Sequence, residues 1–252
     1  MFDFKKNFEN EIRVKIAPLL KNNGFKKYKK TAFVREKDNL AQIISFQVKK
    51  DQLKAFAIFL PIYVPNDDIM NFGIEITGSC GVRLLNGKYF RTIYEKEKYD
   101  LTIQEENYQK IHLPTFENML IPAILEGVIP EMNEVDSLSK FIYILRKGQD
   151  GCFFGNRSWG MSGITNYILA VYEVFEGKDA NSYAVLSNIN KTLAEYPCKS
   201  VDLFHRYVLT LLSAFDNEGH VDMTEYKNKL NILSDEMRKK YNLNPHRLPH
   251  SP

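Results

Sequence analysis

A chain of 252 residues, 44% of them hydrophobic and 26% charged, can bury the core of one large domain or two modest ones, which excludes a disordered polypeptide and a disulfide-stapled miniprotein. No stretch approaches the ~20 uninterrupted apolar residues of a membrane-spanning helix, and Met1-Phe2-Asp3-Phe4-Lys5-Lys6 has no apolar run suited to a secretory leader. Net charge is only +3, and three well-separated cysteines (Cys80, Cys152, Cys198) suit reduced thiols, so the expectation is a cytoplasmic protein without membrane contact.

Charge is unevenly spread. Residues 1–60 hold 14 Lys and Arg against 6 Asp and Glu, whereas residues 61–136 hold 6 against 13. Phe4, Phe8, Ile12, Ile16 and Leu20 recur every fourth residue and predict an amphipathic helix that stops at Gly24, a left-handed cap. Period-two alternation predicts strands over 42–48 (Ile44, Phe46, Val48 on one face) and 72–80 (Phe72, Ile74, Ile76), while 54–63 is apolar on both faces, as a central strand is. Asn86-Gly87 suits a type I′ turn and predicts a hairpin joining 82–85 to 88–94.

From about residue 114 the period changes to 3.6. Phe116, Met119, Leu120, Ala123 and Ile124 mark a helix that Pro122 should kink or split, and Asp136 is placed to cap a second carrying Leu138, Phe141, Ile142 and Leu145. Four more helices follow a Gly-rich loop: one with Ile164, Tyr167, Ile168, Val171 and Phe175 closing at Gly177, one over 180–196, one with Leu203, Phe204, Tyr207, Leu211 and Phe215, and one after Thr224 with Tyr226, Leu230, Leu233 and Met237. The fold class expected is α+β: an N-terminal helix packed on an antiparallel meander sheet, followed by an all-helical C-terminal part. The division is 1–147 for the α+β domain, 148–163 for a Gly-rich linker, 164–241 for a helical bundle and 242–252 for an irregular tail.

Leu20-Lys21-Asn22-Asn23-Gly24-Phe25-Lys26-Lys27, then Phe33-Val34-Arg35, then Ile44-Ser45-Phe46-Gln47, resembles a bacterial domain family of unknown function, the 4304 type, over residues 8–147. The resemblance implies a helix packed on an antiparallel sheet and then helices; the family has no established catalytic residues to carry over. The recurring residues also have a structural reading, with Phe25, Phe33 and Phe46 in the core and Arg35 and Gln47 as cross-strand partners.

The motifs of zinc proteases, serine hydrolases, phosphate-binding loops, dithiol redox centres and dinucleotide folds are all missing from the sequence. Five histidines are scattered, and His205 among Leu203, Phe204 and Tyr207 reads as a packed residue. Glu75 stands on a strand without the following lysine that nuclease chemistry requires. Two surfaces remain. Lys26, Lys27, Lys29, Lys30 and Arg35 interleave with Phe25, Tyr28 and Phe33, the mixture used for phosphate neutralisation and base stacking, or else a solvated turn. The segment 148–163 carries Cys152, Arg157 and Trp159 among five glycines, and reads either as an anion or small-ligand loop or as a hinge with Trp159 packed between domains.

The reading is a non-enzymatic partner-binding protein of bacterial type, an immunity, antitoxin or adaptor-like module of a conflict or stress system. Its partner is expected to be another protein, with no cofactor and no metal. The alternative is a nucleic-acid-associated protein of a defence or phage-related assembly using the basic N-terminal surface.

Overall fold

The computed structural model describes residues 4–48, 52–65, 73–75, 103–104, 120–149, 159–195 and 202–244. They form an α+β protein of two compact units. One holds the described residues up to Leu60 and from 73 to 149; the other holds 61–65 and the described residues from Trp159 on.

In the first unit Phe4–Glu11 (α1) and Ala17–Asn22 (α2) are α-helical, and Ile12–Ile16 between them is π-helical. Pro18 explains the π turn. In an α-helix its ring would collide with the carbonyl of Val14, four residues back. Instead the Ala17 N–H reaches back five residues to the Ile12 carbonyl, widening the turn just ahead of the proline. The device recurs at Ala123–Val128, where the Ile129 N–H bonds the Ile124 carbonyl directly before Pro130. It also accounts for the four-residue spacing of the apolar stripe. On an ideal α-helix that spacing drifts by about 40° per step, yet Phe8, Ile12, Ile16 and Leu20 are all buried.

Gly24 (φ +82°) ends α2 as expected. The Phe25 N–H bonds the Leu20 carbonyl (3.0 Å), the Gly24 N–H bonds that of Lys21 (3.0 Å), and Leu20 and Phe25 are both buried. A Cβ at Gly24 would meet nothing within 4 Å. Gly24→Ala is therefore expected to cost about 1 kcal/mol from backbone strain alone, read from the midpoint of a urea titration.

The strands are β1 Lys26–Lys29, β2 Ala32–Lys37, β3 Leu40–Val48, β4 Gln52–Pro61, β5 Gly73–Glu75 and β6 Ile103–Gln104. Sheet order is β1-β2-β3-β4-β5 with β6 also on β4, and the pairs β1/β2, β2/β3, β4/β5 and β4/β6 are antiparallel. Asp38 (φ 44°) and Asn39 (φ 61°) make the tight turn joining β2 to β3. The Asn86-Gly87 hairpin lies outside the described residues. In β4 Ala55, Ala57, Ile58, Phe59 and Leu60 are all buried, the two-faced burial its sequence predicts. Phe59 stacks on Phe141 of the helical layer (centroids 6.3 Å).

That layer comprises Ile129–Glu134 (α3), entered through the π turn, and Leu138–Gln149 (α4). Pro122 keeps helical angles (φ −58°, ψ −42°) and the π turn follows it directly, while the start of the helix expected around Phe116 and Met119 lies outside the described residues. The cap of α4 is Ser137 rather than Asp136. Only the residue next to the first helical position can reach the N3 amide, and Ser137 Oγ accepts from the Lys140 N–H (3.3 Å). Asp136 instead pairs with the Lys140 ammonium (2.9 Å).

The second unit contains α5 (Trp159–Val174), α6 (Asp179–Glu195), α7 (Asp202–Leu212) and α8 (Met223–Lys240). Helix α4 runs to Gln149 and α5 begins at Trp159, so both ends of the segment 148–163 expected as a linker are helical. Propagating an established helix adds one hydrogen bond per residue, which outweighs the cost of Gly160 and Gly163. The helical unit also takes in 61–65, far upstream of the expected boundary at 164. Gly177 (φ +73°) closes α5, with the Lys178 N–H bonding the Glu173 carbonyl (3.1 Å). Asp222 caps α8: its Oδ1 accepts from the N–H groups of Thr224 (2.9 Å) and Glu225 (3.0 Å).

The core of this unit is rich in tyrosine. Tyr63, Tyr167, Tyr207 and Tyr226 are buried, and each hydroxyl donates to a backbone carbonyl: of Ile168, Tyr63, Leu233 and Val171 respectively. Burial pushes all four phenols above their ordinary value. The raised folded-state values leave stability intact below pH ~10. Above it, ionisation of the unfolded chain removes about 1.4 kcal/mol per pH unit for each such tyrosine. Alkaline unfolding is expected to be steep, and Tyr226→Phe should make it shallower by one proton, measured by denaturant titration across this range.

Candidate functional site

Three constellations in the described residues carry chemistry. The first is a polar network in the sheet unit. The β2/β3 register sets Arg35 directly opposite Gln42, so its cross-strand partner is Gln42 and not Gln47. Arg35 Nε donates to Gln42 Oε1 (2.7 Å), Nη1 to the Asn23 carbonyl (2.9 Å) and Nη2 to Asn133 Oδ1 (2.8 Å). The guanidinium also lies over the Phe25 ring, 4.4 Å from its centroid. Gln42, fully buried, donates through Nε2 to the carbonyls of Met132 (2.6 Å) and Val135 (2.7 Å). Lys37 Nζ reaches the same Asn133 Oδ1 (3.2 Å). Arg35 is only 8% exposed. Burial alone pulls its pKa down to about 10, and no carboxylate among the described residues contacts it.

The second is the lysine strand. Lys26, Lys27, Lys29 and Lys30 are exposed on or just after β1, which ends the sheet order. Lys30 pairs with Glu9, and Lys29 sits 5.6 Å from the centroid of the Tyr28 ring. The structure does not bring Arg35, Phe25 or Phe33 to this surface, because all three are buried. Side chains alternate across a strand, and β1 carries an irregularity between Lys27 and Lys29. The ammonium groups are thus distributed along an edge, as lysines that guard an edge strand from pairing are.

The third is the outer face of α7 and α8. Arg206 pairs with Glu236, and the Lys229 ammonium donates to Ser213 Oγ and pairs with Glu225. These two rungs fix an antiparallel register. Leu209 and Ile232 lie between them, since 206, 209 and 213 share one helical stripe and 229, 232 and 236 share the facing one. Leu209 is 47% and Ile232 65% exposed. Both stand off the buried stripes of their helices (Tyr207, Val208, Leu211; Tyr226, Leu230, Leu233, Met237), a departure from the helical phase that is already legible in the sequence.

Of the remaining sequence candidates, Cys152 and Arg157 lie outside the described residues, and Trp159 is the first residue of α5. His205 Nε2 donates to Asn190 Oδ1 (2.7 Å), tying α7 to α6. Asp216 folds the 215–221 loop: its carboxylate accepts from the N–H groups of His220 and Glu218 and faces His220 Nδ1, contacts that hold its pKa below the usual carboxylate range. Among the described residues no three His, Cys, Asp or Glu side chains converge as a metal set, and no helix is long and apolar enough to cross a membrane. No family model, curated protein or solved structure matches the chain.

Proposed function

We propose that this chain is a non-enzymatic partner-binding protein that docks another protein on the outer face of α7 and α8. The observation that carries the reading is that Leu209 and Ile232, on the helical stripes between two polar rungs, are both exposed. An aliphatic centre with a charged rim is the anatomy of a protein interface. The partner it fits presents an apolar anchor flanked by both signs of charge, because each rung carries a cation and an anion. The immunity, antitoxin and adaptor roles raised by the sequence are all exercised through a protein-docking surface, which this face supplies. The experiment is affinity capture from the protein's own cells, comparing wild type with Leu209→Asp/Ile232→Asp. The proposal expects a stoichiometric protein partner that survives nuclease and high salt and is absent with the variant. A partner held equally by the variant would place the interface elsewhere.

The exposed lysines of β1 favour a second reading, phosphate-driven contact with nucleic acid. Because Phe25 and Phe33 are buried, such binding would lack base stacking by these rings and would be insensitive to sequence. Replacing Lys26, Lys27 and Lys29 by glutamine is then expected to lower the slope of log K against log salt by about 3 for double-stranded DNA. An unchanged slope contradicts this reading.

A further inference from the structure

We propose that Arg35 and Lys37 form a receptor for a small oxyanion, with Asn133 Oδ1 occupying the position an anion oxygen takes. Two cations converge on that one neutral oxygen, at 2.8 Å from Arg35 Nη2 and 3.2 Å from Lys37 Nζ. The guanidinium's other partners are also neutral: an amide oxygen, a backbone carbonyl and an aromatic ring. A cation removed from water is ordinarily matched by an anion, yet no carboxylate among the described residues contacts this one. Asp136 pairs with Lys140 and also lies in the field of the Lys37 ammonium, so Arg35 is the one of the two cations with no anion against it among the described residues.

The receptor is shaped for a ligand from solvent. Arg35 is fixed from behind by Gln42, itself anchored on Met132 and Val135, so the guanidinium is held in place before anything binds. Asn133 is exposed and Lys37 half-buried, so the outer wall can turn aside without disturbing the core. A planar guanidinium and a mobile ammonium together suit a phosphate or a carboxylate, through one charge-assisted bond from each. This site is in the sheet unit and stands independently of the α7–α8 face.

The test is thermal unfolding of the full chain in sodium phosphate and in sodium acetate, each against sodium chloride at matched ionic strength. The wild type is expected to melt at rising temperature as one of these oxyanions increases; the arm that responds identifies phosphate or carboxylate as the ligand. Lys37→Met should lose most of that response. Asn133→Asp, which installs the oxyanion permanently, should melt above the wild type in chloride and gain nothing further from either anion. Absence of any anion-specific rise, an equal rise in both variants, or an Asn133→Asp protein no more stable than wild type would each overturn the proposal.

Discussion

Arg35→Ala is expected to lower the free energy of unfolding by about 3 kcal/mol. The substitution strands the buried Gln42 Oε1 and the Asn23 carbonyl, and an unsatisfied buried acceptor costs about 1–3 kcal/mol. It also withdraws the guanidinium from the Phe25 ring. The guanidinium's own desolvation acts in the opposite direction, which keeps the net loss below the sum of its bonds. Arg35→Lys should be nearly as damaging, because one ammonium cannot reach across strand, helix end and Asn133 in the fork geometry that the site uses. Urea unfolding of both variants measures this. A loss below about 1 kcal/mol for alanine would mean that desolvation cancels the network, leaving Arg35 without a structural role.

The second large effect falls at Tyr63. Tyr63→Ala is expected to destabilise the helical unit by about 3–5 kcal/mol, the range for deleting a buried aromatic ring. Tyr63 is 2% exposed, stands edge-on to Tyr167 (centroids 6.4 Å) and accepts the Tyr167 hydroxyl on its carbonyl. Its own hydroxyl makes only a 3.5 Å bond to the Ile168 carbonyl, so Tyr63→Phe should cost about 1 kcal/mol or less. Amide hydrogen exchange locates the effect: protection in α5 should fall steeply in Tyr63→Ala. If α5 keeps its wild-type protection, the segment 61–65 is not part of that unit's core.

Much of the fold can be read from periodicity. The first apolar stripe, the Gly24 cap, the two-faced strand β4 and the core positions of α8 all stand where spacing and turn chemistry put them. Other features depend on contacts between distant positions. The Asp136 cap failed by one residue because capping is set by reach to an amide, which letters alone do not fix. The register that pairs Arg35 with Gln42 follows from the Asp38-Asn39 turn, whose two positive φ angles the sequence hints at only weakly. Gln42 itself was detectable, being a lone amide in the run Leu40-Ala41-Gln42-Ile43-Ile44, where a polar group must find buried partners. Its partners, Met132 and Val135, lie ninety residues on and belong to a helix end that no local pattern links to β3. For the same reason Tyr63, which reads as the end of a strand, turned out to serve the helical unit.

The basic cluster shows how a motif divides on folding. Its lysines stay on the surface of an edge strand, while Arg35, Phe25 and Phe33 go to the core, because β2 is buried on both faces over residues 32–35 and the cap at Gly24 turns Phe25 inward. What reads in sequence as one strand-binding surface becomes a guarded sheet edge and, behind it, a buried cation.

The central claim is that Leu209 and Ile232 anchor a protein partner, and the most direct measurement is calorimetric titration of the purified partner against wild type and Leu209→Asp/Ile232→Asp, with melting temperatures recorded for both. Apolar anchors at an interface centre contribute about 2 kcal/mol or more, so the variant is expected to bind about thirty-fold more weakly or worse while melting within a few degrees of wild type. Equal affinity in a folded variant would contradict the claim and remove the α7–α8 face from the account.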